Sequence, residues 1–416
     1  MTFTWKWPAV LARGATRALL PAAFLVSGTA FAADYSQAPM LDDMDLPPVA
    51  ERVPAAPEVV EALSVGNYGG TLRRGLRGSN DHNGILRIVG PQGLTRWKPD
   101  FSDYVPNLAE SFEVSDDAST YTFKLREGIK WSDGEPFTAD DIMFFFEDLL
   151  PNKDFYAAPP PRFVIAGEAA TAEKIDDHTV KITFAGPYGQ FLSELATPLA
   201  QEPVLWAKHY CSQFHPKYNE NIDALIEENN ADNWATLFRQ KCGDIEIPSR
   251  WGNPDRPTLD PWILTEEAYS GGATRVVMER NPYFWQVDQN GQQLPYIDRV
   301  IFGINQDSES LLLEAIAGDI DMQARHIDSV GNRPVLFENQ DAGGYSLFRM
   351  TNAASNTMGF YPNLLHPDPA MREMLGAKDF RVALSHAIDR DEIIDVVYLG
   401  QGEPWQIGPS KAHPLY

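Results

Sequence analysis

The chain has 416 residues, more than one hydrophobic core usually serves, so two or more lobes are expected. With 44% hydrophobic and 22% charged residues it is ordinary globular material, neither disordered throughout nor fibrous. A formal charge of −24 repels phosphate backbones and anionic headgroups, which argues against a nucleic-acid or membrane-surface role.

Residues 1–32 have the pattern of an export signal. Lys6, Arg13 and Arg17 form a basic start, Ala18 to Val26 is a short apolar run, and Ala30-Phe31-Ala32 suits cleavage before Ala33. The run is too short to span a bilayer, where about 20 residues are needed. Losing those three positive charges would take the formal charge from −24 to −27. The expected product is soluble and periplasmic.

Residues 33–65 are rich in Pro, Ala and acidic residues without sustained periodicity, and are expected to form an extended leader that wraps or dangles. Gly69-Gly70-Thr71-Leu72-Arg73 then turns into a first strand. Tyr121, Phe123 and Leu125 alternate with polar residues and share one buried sheet face. Thr138 with Asp141 three residues on, ahead of Ile142-Met143-Phe144-Phe145-Phe146, reads as a capping box opening a mostly buried helix. A hairpin is expected over 174–184, turning at Asp176-Asp177-His178, with Val180, Ile182 and Phe184 on one face. Trp234, Leu237 and Phe238 have helical spacing. Val276-Val277-Met278 and Arg299 to Phe302 read as strands, and Ser308 to Ala317 as a helix stopped by Gly318. A strand is expected at Asp319 to Met322. Helices follow over 380–388 and 393–399, the second capped by Asp389 with Glu392 and ended by Gly400. Strands and helices alternate, which makes the fold class α/β.

Catalytic patterns are missing from the sequence. No His-Glu-x-x-His, Gly-x-Ser-x-Gly, phosphate loop or dinucleotide fingerprint occurs, and the histidines lack metal-ligand spacing. No cofactor or metal is expected. Cys211 and Cys242, in an exported chain, are expected to form a structural disulfide worth roughly 3 kcal/mol.

Several segments in order carry a resemblance. They are Asn107 to Phe112, Tyr121 to Gly134, Pro136-Phe137-Thr138-Ala139-Asp140-Asp141, Glu279-Arg280-Asn281-Pro282-Tyr283-Phe284-Trp285, Ala317-Gly318-Asp319-Ile320-Asp321, and Phe380 to Arg390. Over some 350 residues the chain resembles the large extracellular solute-binding proteins of the peptide/nickel/oligosaccharide class, the binding components of ABC importers. The resemblance implies a two-lobe periplasmic-binding-protein-like fold closing on ligand, with no turnover. Mapped here, the first lobe is 66–85 and 187–285, a subdomain is inserted at 86–186, and the second lobe is 286–416. Family members run well past the last helix pair, so the second lobe is expected to be incomplete. The expected partners are a small ligand and an inner-membrane ABC permease, with the chain monomeric.

The loop Ser79-Asn80-Asp81-His82 falls where similar proteins line the cleft, although Asn and Asp also suit a plain turn. Trp97 and Trp262 could stack on a ligand or serve as core. Asn356, Tyr361 and Asn363 lie around a strand resembling one that lines the second-lobe side of the cleft. Trp131, Phe144 and Trp285 read as core. An oligopeptide is the default ligand and an oligosaccharide the alternative. A secreted hydrolase and a non-binding remnant are the rivals.

Overall fold

Alternating apolar residues build a mixed four-stranded sheet in the order Trp262–Leu264, Arg275–Arg280, Arg299–Asn305, Thr71–Arg77 in this computed structural model. The structure describes residues 35–78, 80–90, 92–245, 247–349, 358–405 and 408. The expected export signal lies outside these residues. The first three strands are antiparallel and the last pair is parallel, with Arg299 opposite Thr71 and Asn305 opposite Arg77. Val276, Met278, Val300, Phe302 and Leu76 point to one face and pack with Ile85, Leu86 and Val89 of the helix Asn83–Val89. On the other face lies the helix Ser308–Ala317. A Cβ at Gly75 would stand 2.0 Å from Leu311 Cδ1, so glycine is what lets this helix approach the strand.

A second sheet is antiparallel, two hairpins side by side in the order Ala109–Val114, Thr120–Leu125, Thr179–Thr183, Thr171–Asp176. Tyr121, Phe123, Leu125, Val180 and Ile182 are buried, as their alternation requires. The Thr138 capping box forms: Thr138 accepts from Asp140 N–H, and Asp141 Oδ2 accepts from Thr138 N–H at 2.9 Å. The helix Ala139–Phe144 runs on through a π-helical turn, Phe145–Leu149. Phe145, Phe163, Trp206 and Phe238 form the centre of the largest core, where Trp131, Phe144 and Trp285 also sit. The helix Trp234–Cys242 ends in the disulfide Cys211–Cys242.

Two features depart from the sequence reading, and the leader takes the wrapping of its two expected forms. The strand Arg299–Asn305, placed by sequence beyond the boundary at 286, is an inner strand of the mixed sheet, bonded to Thr71–Arg77. Its partner lies more than two hundred residues away, which no local pattern reveals. The leader is bound to the fold: Glu58–Val60 pairs in parallel with Gln286–Asp288, and the buried Arg52 donates to Pro47 O and Pro282 O. Asp319–Met322 is not a strand. Instead Asp321 accepts the Arg73 N–H at 2.6 Å through its carboxylate and donates its own N–H to Arg73 O. The Asp321 carboxylate and backbone N–H together satisfy the open edge of Thr71–Arg77, one way a sheet edge is protected.

Candidate ligand-binding site

The strand Thr71–Arg77 ends at Gly78, and the chain turns through Asn80 and Asp81 into the helix Asn83–Val89. Asn80 is exposed, whereas Asp81 and His82 are buried. The tight turn depends on Gly84, where a Cβ would meet Leu76 Cδ2 at 2.5 Å.

Asp81 is the hub of this turn. Its Oδ2 accepts the Arg77 N–H at 3.0 Å and lies 2.7 Å from His326 Nε2, while Oδ1 accepts Arg325 Nε at 2.8 Å. Burial by itself would raise the carboxyl pKa, but the hydrogen bonds from Arg325, Arg77 N–H and His326 outweigh it and hold the group below its ordinary range. Gln323 extends the same seam: its amide donates to Gly75 O at 3.2 Å and accepts Gly75 N–H at 3.3 Å. Residues 321–326, reached through the helix Ser308–Ala317, are therefore stitched along the first strand by Asp321, Gln323, Arg325 and His326. His82 packs edge-on against Tyr269, ring centroids 6.3 Å apart.

Sequence reasoning missed Arg325, His326 and Gln323. The available signal was a polar Gln-Ala-Arg-His run directly after Asp319-Ile320-Asp321-Met322, the strand expected there.

The other expected site residues sit elsewhere. Trp97 closes the short strand Thr95–Trp97 and packs edge-on against Tyr104 on the paired strand. Trp262 starts the outer strand of the mixed sheet, packs on its core and donates its indole N–H to Ile297 O at 3.0 Å. Tyr361 and Asn363 are exposed and outside any strand; the Asn363 side chain accepts Leu365 N–H at 3.0 Å. Asn356, like Ser79, lies outside the described residues. Among the described residues no cluster of His, Cys, Asp or Glu could hold a metal, and no helix is long and apolar enough to cross a membrane.

The profile of bacterial extracellular solute-binding proteins, family 5, middle region, matches residues 103–416. The periplasmic alpha-galactoside-binding protein of Rhizobium meliloti is 30% identical over 398 residues, covering 85% of this chain and 51% of that protein. A solved oligopeptide-binding protein OppA superposes with a TM-score of 0.73 at 38% identity, over 89% of this chain and 58% of that one. The periplasmic binding protein MelB from Agrobacterium fabrum C58, solved with stachyose, gives a TM-score of 0.64 at 28% identity, over 89% and 56%. The chain spans about half the length of the curated relatives it matches. Its mixed α/β architecture is that of periplasmic binding proteins, a family of binding proteins rather than enzymes. The chain belongs to the bacterial extracellular solute-binding proteins, family 5.

Proposed function

We propose that this protein captures a small ligand in the periplasm and presents it to an ABC permease by closure of a cleft. The match of the family profile over residues 103–416 carries this reading. Residues 1–32 act as the cleaved export signal, and the mature chain works as a monomer. The mixed sheet anchors the first lobe, residues 86–186 form the inserted subdomain, and the second lobe starts after Asn305 rather than at 286, because the strand ending there belongs to the first sheet.

The ligand contacts the exposed Asn80 and the neighbouring His82 at the Asp81 turn. Asp81 acts indirectly: its oxygens are taken by three donors, so it positions Arg325 and His326 at the cleft instead of meeting ligand itself. Hinge closure buries ligand between lobes, and the ligand's differential affinity for the closed form supplies the energy for the change.

An oligopeptide is the first ligand class, supported by the superposition on OppA at 38% identity. An oligosaccharide is the second, supported by the alpha-galactoside-binding relative and by MelB with stachyose. Thermal unfolding with di- and tripeptides and with stachyose-type oligosaccharides separates them. Ligand at 100 times its dissociation constant adds about 2.7 kcal/mol, so one class should raise the midpoint and Asn80→Ala should shrink the rise. An unmoved midpoint with both classes would sink the proposal.

A further inference from the structure

The leader rests on the fold with unequal footing along its length. From 38 to 54 it is seated by burial: Ala38, Leu41, Val53 and Arg52 are buried, and Lys130 Nζ donates to Glu51 O at 2.8 Å. Past 65 it is pinned again. The Tyr68 hydroxyl donates to Gln293 O at 2.9 Å, and the Gly69 N–H donates to Tyr296 O at 3.0 Å. Between these anchors no residue from 55 to 65 is buried, and Val59, Leu63 and Val65 turn apolar side chains to solvent. Apolar burial therefore does little to hold the middle stretch.

What holds it is a short ladder and one carboxylate. The pairing of Glu58–Val60 with Gln286–Asp288 covers three residues and two strands, too little to persist in water by itself. Glu58, at the start of that ladder, accepts Arg96 Nη2 on Oε1 at 2.7 Å and Arg126 Nη2 on Oε2. The Glu58 and Arg126 side chains are 14% and 11% exposed, so water competes weakly for this contact. Arg96 lies on the strand Thr95–Trp97, and Arg126 directly follows the strand Thr120–Leu125. One carboxylate thus ties three separate elements together. Removing one partner of such a covered ion pair is strongly destabilising, because the charge left behind stays desolvated. Further along, Ala62 N–H donates to Gln289 Oε1 at 3.1 Å, a contact open to solvent.

We infer that residues 55–65 form a strap, anchored at both ends and latched in the middle by Glu58. The strap opens as a unit, and when open it uncovers the edge of Gln286–Asp288 with Arg96 and Arg126 beside it. This device is separate from the Asp81 turn and does not depend on the ligand reading.

The test is hydrogen exchange of the full chain, read by mass spectrometry of peptic fragments, for the wild type, Glu58→Gln and the control Glu61→Gln, which removes an exposed carboxylate outside the latch. Glu58→Gln should speed exchange over 58–62 and over 286–289 together by at least about tenfold, while 38–54 stays within about twofold. Glu61→Gln should change neither stretch. Unchanged exchange over 58–62 in Glu58→Gln, a rise on only one of the two strands, a rise that spreads through 38–54, or an equal rise in the control would overturn the inference. If Glu58→Gln does not fold, Arg96→Gln decides by the same readout. A joint rise of at least about threefold over both stretches supports the latch, and any other pattern rejects it.

Discussion

Between Tyr104 and Trp285 the chain buries Phe123, Trp131, Phe145, Trp206 and Phe238 almost completely, whereas the three helices Pro369–Gly376, Lys378–Ala387 and Arg390–Val397 bury no residue. Both regions contain helices with apolar residues at helical spacing. In the first, apolar area removed from water holds the elements in place, each large side chain contributing roughly 1.5–3 kcal/mol. In the second, Met371, Met374, Val382, Leu384, Val396 and Val397 remain substantially exposed. Local chemistry defines those helices instead. Asp368 accepts Ala370 N–H, Asp389 accepts Glu392 N–H at 2.9 Å, and Arg381 reaches back to Leu375 O and Gly376 O. The contrast separates two causes that usually act together: caps decide where a helix begins and ends, and burial decides how firmly it is held.

The largest expected effect tests this contrast head on. Trp206→Ala should cost roughly 3–5 kcal/mol in urea unfolding, while Val396→Ala should stay within about 0.5 kcal/mol. Similar costs at both positions would erase the distinction. Next comes the disulfide. Replacing both Cys211 and Cys242 by serine opens a cross-link over a sequence separation of 31 and should lower stability by roughly 3 kcal/mol, read from the same urea midpoints. A loss below about 1 kcal/mol would mean that packing around Phe214 and Phe238 already fixes this part of the core.

A smaller effect belongs to the capped region. Asp389→Ala removes the cap of the helix Arg390–Val397 and should cost about 1 kcal/mol locally. It should speed amide exchange over 390–397 without moving global unfolding. A shift of the whole transition would show these helices to be coupled to the core. The smallest effect is a pH dependence. The hydrogen bond that His209 donates to the Asp133 carboxylate raises the pKa of His209, whose ring nitrogen lies 2.8 Å from that carboxylate. A raised histidine pKa contributes stability that is full below the unfolded value of 6.5 and is lost as pH rises through the folded value. His209→Gln should therefore lower the thermal midpoint at about pH 5.5 and leave it unchanged at about pH 8.5. A deficit larger at the alkaline end would contradict the sign. Buried His215 works the other way, since desolvation lowers its pKa, so it weakens the fold as pH falls.

What the sequence made legible follows the same division. The Thr138 capping box, the hairpin turning at 176–178, the Gly318 stop and the Asp389 cap are short-range patterns, and each is present in the structure. The buried face of the second sheet was readable for the same reason, because alternation is local. The Asp81 cluster was legible only in part: the turn could be found, but Arg325 and His326 lie 244 and 245 residues further along the chain. Arg52 was hidden likewise, because its burial rests on acceptors such as Pro282 O, 230 residues away. Asp319–Met322 looked like a strand because its apolar residues alternate, and only the structure shows one carboxylate and one backbone N–H, both of Asp321, standing in for a ladder.

The central claim is that this chain binds a small ligand and leaves it chemically unchanged. Equilibrium dialysis of the full chain against stachyose-type oligosaccharides and against di- and tripeptides, followed by mass analysis of the recovered ligand, tests it most directly. The account predicts saturable binding of one class, with the ligand recovered intact. Cleaved ligand, or no saturable binding of either class, would contradict it.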